Sequence, residues 1–100
     1  MVERVLGREV PVAAGLGVRL LGLSHLDRDE AGHGLVIPRC SSIHTFGMRF
    51  DLDLYWLDEA GEAIQAHPSL PPRRLANCRG AAAVLEIPAG EGGEIARPCP

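Results

Sequence analysis

The sequence has no lysine: all ten of its basic residues are arginine. That excludes a Schiff-base lysine and a phosphate-loop lysine. Aromatic residues are scarce, with one Trp, one Tyr and two Phe in 100 residues. No RNP, KH or zinc-knuckle pattern is present, so the chain lacks the stacking platforms of RNA-binding modules. Cysteine occurs three times, at Cys40, Cys78 and Cys99, an odd number without a CxxC pair. This spacing argues against a disulfide scaffold and against structural zinc. Reduced thiols in a cytoplasmic protein are the resulting expectation. Long apolar runs are missing too. The most apolar stretch, 10–23, is broken by Arg19 and several glycines and is too short to span a bilayer. The first residues set Glu3 and Glu9 among apolar ones, and no signal peptide is expected. The net charge of −3 gives no field that would gather nucleic acid or an anionic membrane, so neither is an expected partner.

What is present is a globular composition, 46% hydrophobic and 23% charged, in a length that makes one domain over 1–100. Residues 8–13 alternate as a short strand, with Val10 and Val12 on one face and Pro11 placing it at a sheet edge or a strand start. Leu16, Leu20 and Leu23 recur at helical spacing, which predicts one short helix or helical turn near 16–23. A polar, glycine-ended loop follows over 26–34, then a short apolar strand at 35–37 stopped by Pro38. Residues 52–56 have period two, and 58–61 reads as a four-residue hairpin loop with Gly61 able to take positive φ. The return strand is expected over 62–67. Apolar residues fall on both faces of this hairpin, Tyr55, Leu57 and Ile64 against Leu54 and Trp56, so it is covered on both sides. Prolines 68, 71 and 72 predict an extended connection over 68–74. A last good strand lies at 82–87, and one edge strand at 94–96 precedes a frayed tail. These elements predict a mainly β, small single-domain fold, barrel-like or sandwich-like.

The segments IPRCSSIHTFGM, LDLYWLDEAG and PPRRLANCRGAAAVLEIPAG, preceded by Arg19 and Gly22-Leu23, resemble the domain-of-unknown-function 192 family over about 10–90. Its best markers here are HTFGM at 44–48, Leu52-Asp53, and LEIPAG at 85–90. The resemblance implies a compact, mainly β fold with one short helix, found in bacteria and archaea, with no established activity. Asp51 stands where relatives usually have Pro, and HTFGM replaces the Met-Lys-Asn-Thr signature of the larger branch. By position the resemblance carries over Arg19, His44, Met48, Asp53, Glu86 and Gly90, without agreed roles.

Chemistry-bearing residues concentrate in 39–61. Cys40, His44 and Met48 are spaced i, i+4, i+8 and together would suit soft Cu(I). On a helix their Cβ atoms would be roughly 6 Å apart. On an extended chain they lie roughly 13 Å apart and cannot share an ion. The residues that follow favour extended structure, so no metal or other cofactor is expected: a partly buried Cys, a hydrogen-bonded His and a core Met are. A Cys40–His44 nucleophilic pair meets the same distance objection. Cys40 and Cys78 end core segments and could be neighbours, as packed thiols or as a disulfide. Asp51 and Asp53 share a strand face, roughly 6.6 Å apart by rise, a separation compatible with acid/base work. The competing reading has Asp51 solvated and Asp53 accepting hydrogen bonds from backbone N–H or from an arginine such as Arg19. Arg39, Arg49, Arg73, Arg74 and Arg79 are an anion patch or a solvated face. His25, His33 and His67 are expected to be exposed.

The resulting expectation is a small cytoplasmic binding or accessory module, monomer or homodimer. Its site, beside 39–48, would use Arg19, Arg39, Cys40, His44, Thr45, Met48 and Asp53 for a small polar or anionic ligand or a protein partner. The alternatives are a hydrolytic or metal-assisted enzyme using His44 with Asp53 or Cys40, and an interaction module pairing through a strand edge.

Overall fold

A computed structural model describes residues 2–13 and 34–90 of the chain. The expected helical turn at 16–23, Arg19, the loop from 26 and the strand at 94–96 lie outside the described residues. Eight strands are described: β1 (Val2–Val5), β2 (Arg8–Pro11), β3 (Leu35–Pro38), β4 (Ser42–His44), β5 (Leu52–Leu57), β6 (Ala63–Leu70), β7 (Leu75–Asn77) and β8 (Ala83–Pro88). A four-stranded antiparallel sheet in the order β3-β8-β5-β6 lies between two ribbons, the hairpin β1-β2 and the pair β4-β7. The sheet is open among the described residues, so the layering is that of a sandwich and not of a closed barrel.

The layers follow from the alternation of β5 and β8. Leu52, Leu54 and Trp56 project to one face with Val84, Leu35 and Ile37, where Ile43, Ala76, Cys78 and Met48 cover them. Tyr55 and Leu57 project to the other face with Leu85, Ile87 and Val36, covered by Val5 and Val10 of the first hairpin. Every residue of β5 is buried, including Asp53. A strand buried on both faces reads as a near-continuous apolar run, which LDLYWL does with one exception.

Trp56 is fully buried, and its indole N–H donates to Nδ1 of His67 on β6 at 2.8 Å. His67 is half-buried and not, as expected from its loop-like surroundings, exposed. The ring edge of one meets the face of the other at 6.2 Å between centroids. A buried indole N–H can only donate and so needs an acceptor, which His67 Nδ1 supplies. His67→Ala is expected to cost about 1–3 kcal/mol by orphaning that buried donor. In a denaturant titration the loss should shrink when Trp56→Phe removes the donor as well; equal losses in both backgrounds would show that the bond carries no weight.

The return strand extends further than the prolines suggest. Pro68 lies inside β6 because β6 is outermost in its sheet among the described residues, where a missing N–H breaks no ladder bond. Its register with β5 shifts twice. One shift falls at Ile64, which is therefore turned out to 41% exposure instead of joining Tyr55 and Leu57. The other falls at Pro68-Ser69, where Ser69 has φ 52°.

Candidate functional site

The segment 39–48 does not converge on one point. Arg39 sits exposed at a corner with φ 52°, its N–H donating to the Ala82 carbonyl at 2.7 Å. The Cys40 thiol is half-buried and donates to the Ser42 carbonyl at 3.2 Å. Strand β4 then alternates: Ile43 is buried in the core and His44 faces outward. The Phe46 N–H donates to His44 Nδ1 at 3.2 Å, and the two rings lie 5.6 Å apart. Met48 returns to the core, 8% exposed. The imidazole therefore faces outward, while the turn 45–48 returns Met48 to the core-side cluster against which Cys40 packs, so the three do not share one face. Among the described residues, no three His, Cys, Asp or Glu side chains are grouped to hold a metal ion.

Thr45 is fully buried and committed to backbone. Its hydroxyl donates to the Pro71 carbonyl at 2.7 Å and accepts from the Arg74 N–H at 2.8 Å. Its own N–H donates to the Arg74 carbonyl, and its carbonyl accepts from Met48 and Arg73. One threonine therefore clamps the turn 45–48 to the connection 71–74.

Asp53 is likewise structural in its contacts. Oδ1 accepts from the Ser69 N–H at 2.8 Å and Oδ2 from the Gly90 N–H at 3.1 Å. Of the two donor types foreseen for it, backbone N–H is the one found; Arg19 is outside the described residues. Asp51 is exposed, so the two aspartates do not form a pair in one environment. Asp53 shares its sheet face with Tyr55 and Ile87, whereas the β4-β7 ribbon covers the opposite face and His44 points away from it. The sheet and the ribbon stand between the imidazole and the carboxylate. Cys40 and Cys78 both pack against the ribbon-side core, and the Cys78 N–H reaches the Ser41 carbonyl at 2.9 Å. They are neighbours, as free thiols and not as a disulfide.

A concave site lies elsewhere. A cleft of about 610 Å³ opens between the β1-β2 turn and the β5-β6 loop. Val36, Leu57 and Ala83 contribute apolar lining, and Glu3, Arg4, Arg39, Asp58, Glu59 and Glu62 contribute charge. Of the residues singled out from sequence, Arg39 lines it. Its second wall is Leu6-Gly7, with φ 50° and 83°, the paired positive values a two-residue type I′ hairpin demands. Asn or Asp is the usual first residue there; a leucine costs about 1–2 kcal/mol of backbone strain. Leu6 offsets this by packing against the core beneath the hairpin. Opposite, Asp58 Oδ1 accepts from the N–H groups of Ala60 and Glu62, both at 2.9 Å, which shapes the loop 58–62. The sequence signal for the hairpin wall was the Leu-Gly pair between VERV and REVP, masked by its unusual leucine.

Fold and cleft together define a small three-layer β domain whose hairpin ends enclose a charged-rimmed cleft. The chain belongs to the DUF192 family, described as an uncharacterized ACR family, whose model matches residues 3–96. No curated protein matches it in sequence. Two crystal structures resemble it in fold. One is a Sinorhizobium meliloti 1021 protein described as a candidate transcription regulator, 20% identical, with a TM-score of 0.76 over 96% of this chain and 84% of that one. The other is a Novosphingobium aromaticivorans DSM 12444 protein of unknown function, 16% identical, with a TM-score of 0.73 over 94% and 74%. Among the described residues no helix is long and apolar enough to cross a membrane.

Proposed function

We propose that this DUF192-family chain is a small cytoplasmic binding or accessory module, and that the cleft between the two hairpin ends takes a small polar ligand. The observation that carries this reading is the pairing of concavity with strain. Among the described residues, two of the four non-glycine residues with positive φ, Leu6 and Arg39, line the same cleft. Strained backbone persists only where the surroundings over-determine it, and binding sites are where it concentrates. The volume lies in the usual range for small-molecule sites. Arg4 and Arg39 supply donors for an anionic group, and Glu3, Glu59 and Glu62 accept from hydroxyl or amine groups. Asp58 is held back by its own loop. The free thiols Cys40 and Cys78 are in keeping with a reducing compartment.

A thermal-shift screen against nucleotides, sugars, sugar phosphates and inorganic phosphate tests the reading. A true ligand at a hundredfold excess over its Kd is expected to stabilise the chain by about 2.7 kcal/mol. Arg39→Ala should abolish that shift, read as the difference between the variant's own melting temperatures with and without ligand. A shift that survives Arg39→Ala would move the site away from the cleft.

A further inference from the structure

The outer face of the β4-β7 ribbon belongs to neither the core nor the cleft. His44 and Leu75 are directly opposite each other in its register, and both point outward. Leu75 is 76% exposed and Phe46 52% exposed, two of the four exposed large apolar side chains among the described residues. Single exposed apolar residues are ordinary, but these two flank one imidazole. The backbone that carries them is also held in place. The Phe46 N–H is bonded to His44, with the rings 5.6 Å apart, and the buried Thr45 clamp fixes the segment that carries Arg73, Arg74 and Leu75. Ordering a side chain beforehand lowers the cost of association, which is the setting in which a contact becomes an anchor.

Charge says what would sit there. Residues 42–50 and 71–78 contain Arg49, Arg73 and Arg74 and not a single Asp or Glu, although acids outnumber bases in the chain as a whole. Among the described residues, Glu3, Asp58, Glu59 and Glu62 line the cleft instead. Among the described residues, the ribbon and its flanks thus carry exposed arginines around two exposed apolar side chains. A nucleic acid fits this patch poorly. Its centre is a leucine and a phenylalanine instead of a run of cations, while a duplex typically engages about 6–10 phosphates. We infer that the outer face of β4-β7, built on Phe46, Arg73, Arg74 and Leu75, docks a peptide segment of a partner protein that combines acidic and large apolar residues. Leu75 and Phe46 anchor its apolar side chains, and the arginines pair with its carboxylates. This does not rest on the cleft reading, since the two sites share no residue.

The test is selection from a random twelve-residue display library on the immobilised full chain, followed by fluorescence anisotropy of the enriched peptide. Enriched sequences should unite Asp or Glu with Leu, Ile or Phe. Leu75→Ser and Arg74→Glu should each weaken the labelled peptide at least tenfold, whereas Gln65→Glu, on the exposed outer strand, should leave it unchanged. All three positions are exposed, and Trp56 emission verifies that the variants are folded. Enrichment of basic sequences, or of no class, overturns the inference. So does peptide binding indifferent to Leu75→Ser and Arg74→Glu, or tighter binding of a single- or double-stranded oligonucleotide to the same patch.

Discussion

Replacing Asp53 with alanine is expected to remove about 3–5 kcal/mol of folding stability, two hydrogen bonds to an ionised acceptor being worth about 1.5–3 kcal/mol each. The loss is large because of what the carboxylate joins. Ser69 belongs to the second irregularity of β6, where two residues face one on β5 and an extra N–H is left over. Oδ1 takes that N–H, and Oδ2 takes the N–H of Gly90, in the turn that ends β8. Asp53 thus ties both neighbours of its own strand, from a position 4% exposed. With alanine, two backbone donors lose a buried acceptor. Asparagine distinguishes this account from mere packing. Its amide keeps the shape but turns one oxygen into a donor facing an N–H, so Asp53→Asn should lose roughly half or more of the same stability. Chemical denaturation measures both. A change within about 0.5 kcal/mol for either variant would mean that the carboxylate is merely solvated.

Gly34→Ala should be at least as severe, costing about 3–5 kcal/mol, since overpacking and a forbidden backbone conformation act together. Gly34 leads into β3 with φ 105°, where a side chain is strained whatever the space around it. Space is also lacking. An added Cβ would fall on the backbone carbonyl oxygen of Glu86 and within 3.2 Å of Ile87 Cγ1. Glu86 lies in β8, an inner strand bonded to both β3 and β5, so its backbone cannot retreat without opening the sheet. Against a total stability of about 5–15 kcal/mol for such domains, the variant should melt far lower or fail to accumulate folded. Gly61→Ala is the control: it too has positive φ, 83°, but nothing stands within 4 Å of the added carbon. Equal effects at the two positions would mean that only φ matters and that the close approach to Glu86 does not.

What was legible in the sequence is what periodicity and turn chemistry encode. Residues 52–57 and their hairpin loop, with Asp58 and Gly61 closing it, stand where alternation and turn residues place them. The both-faced burial of that hairpin implied two covering layers, which are present. What was not legible has three causes. Strands β4 and β7 are three residues each, too short for any period to emerge. Strand β1 was hidden because its turn uses Leu6 where local preference asks for Asn or Asp. The sequence predicts a return strand ending at 67, because Pro68 is a breaker in isolation, whereas it is harmless on a strand outermost among those described. The site was harder still. Arg39 is legible as one of the polar residues beside the apolar hairpin, but the cleft it lines is assembled from residues far apart in the chain. Thr45 and Asp53 drew notice as polar residues in apolar company, and that company is the reason their polar atoms are occupied by backbone.

The two irregularities of β6 also govern how this molecule behaves when crowded. Between the out-turned Ile64 and the Pro68-Ser69 offset, only Gln65, Ala66 and His67 keep regular pairing with β5. Three residues give an incoming chain too few consecutive hydrogen bonds to template its own addition, and the proline lacks the N–H for a fourth. Kinks in the main chain, and not a lysine gatekeeper, are therefore what make this edge, outermost among the described residues, a poor template for lateral addition.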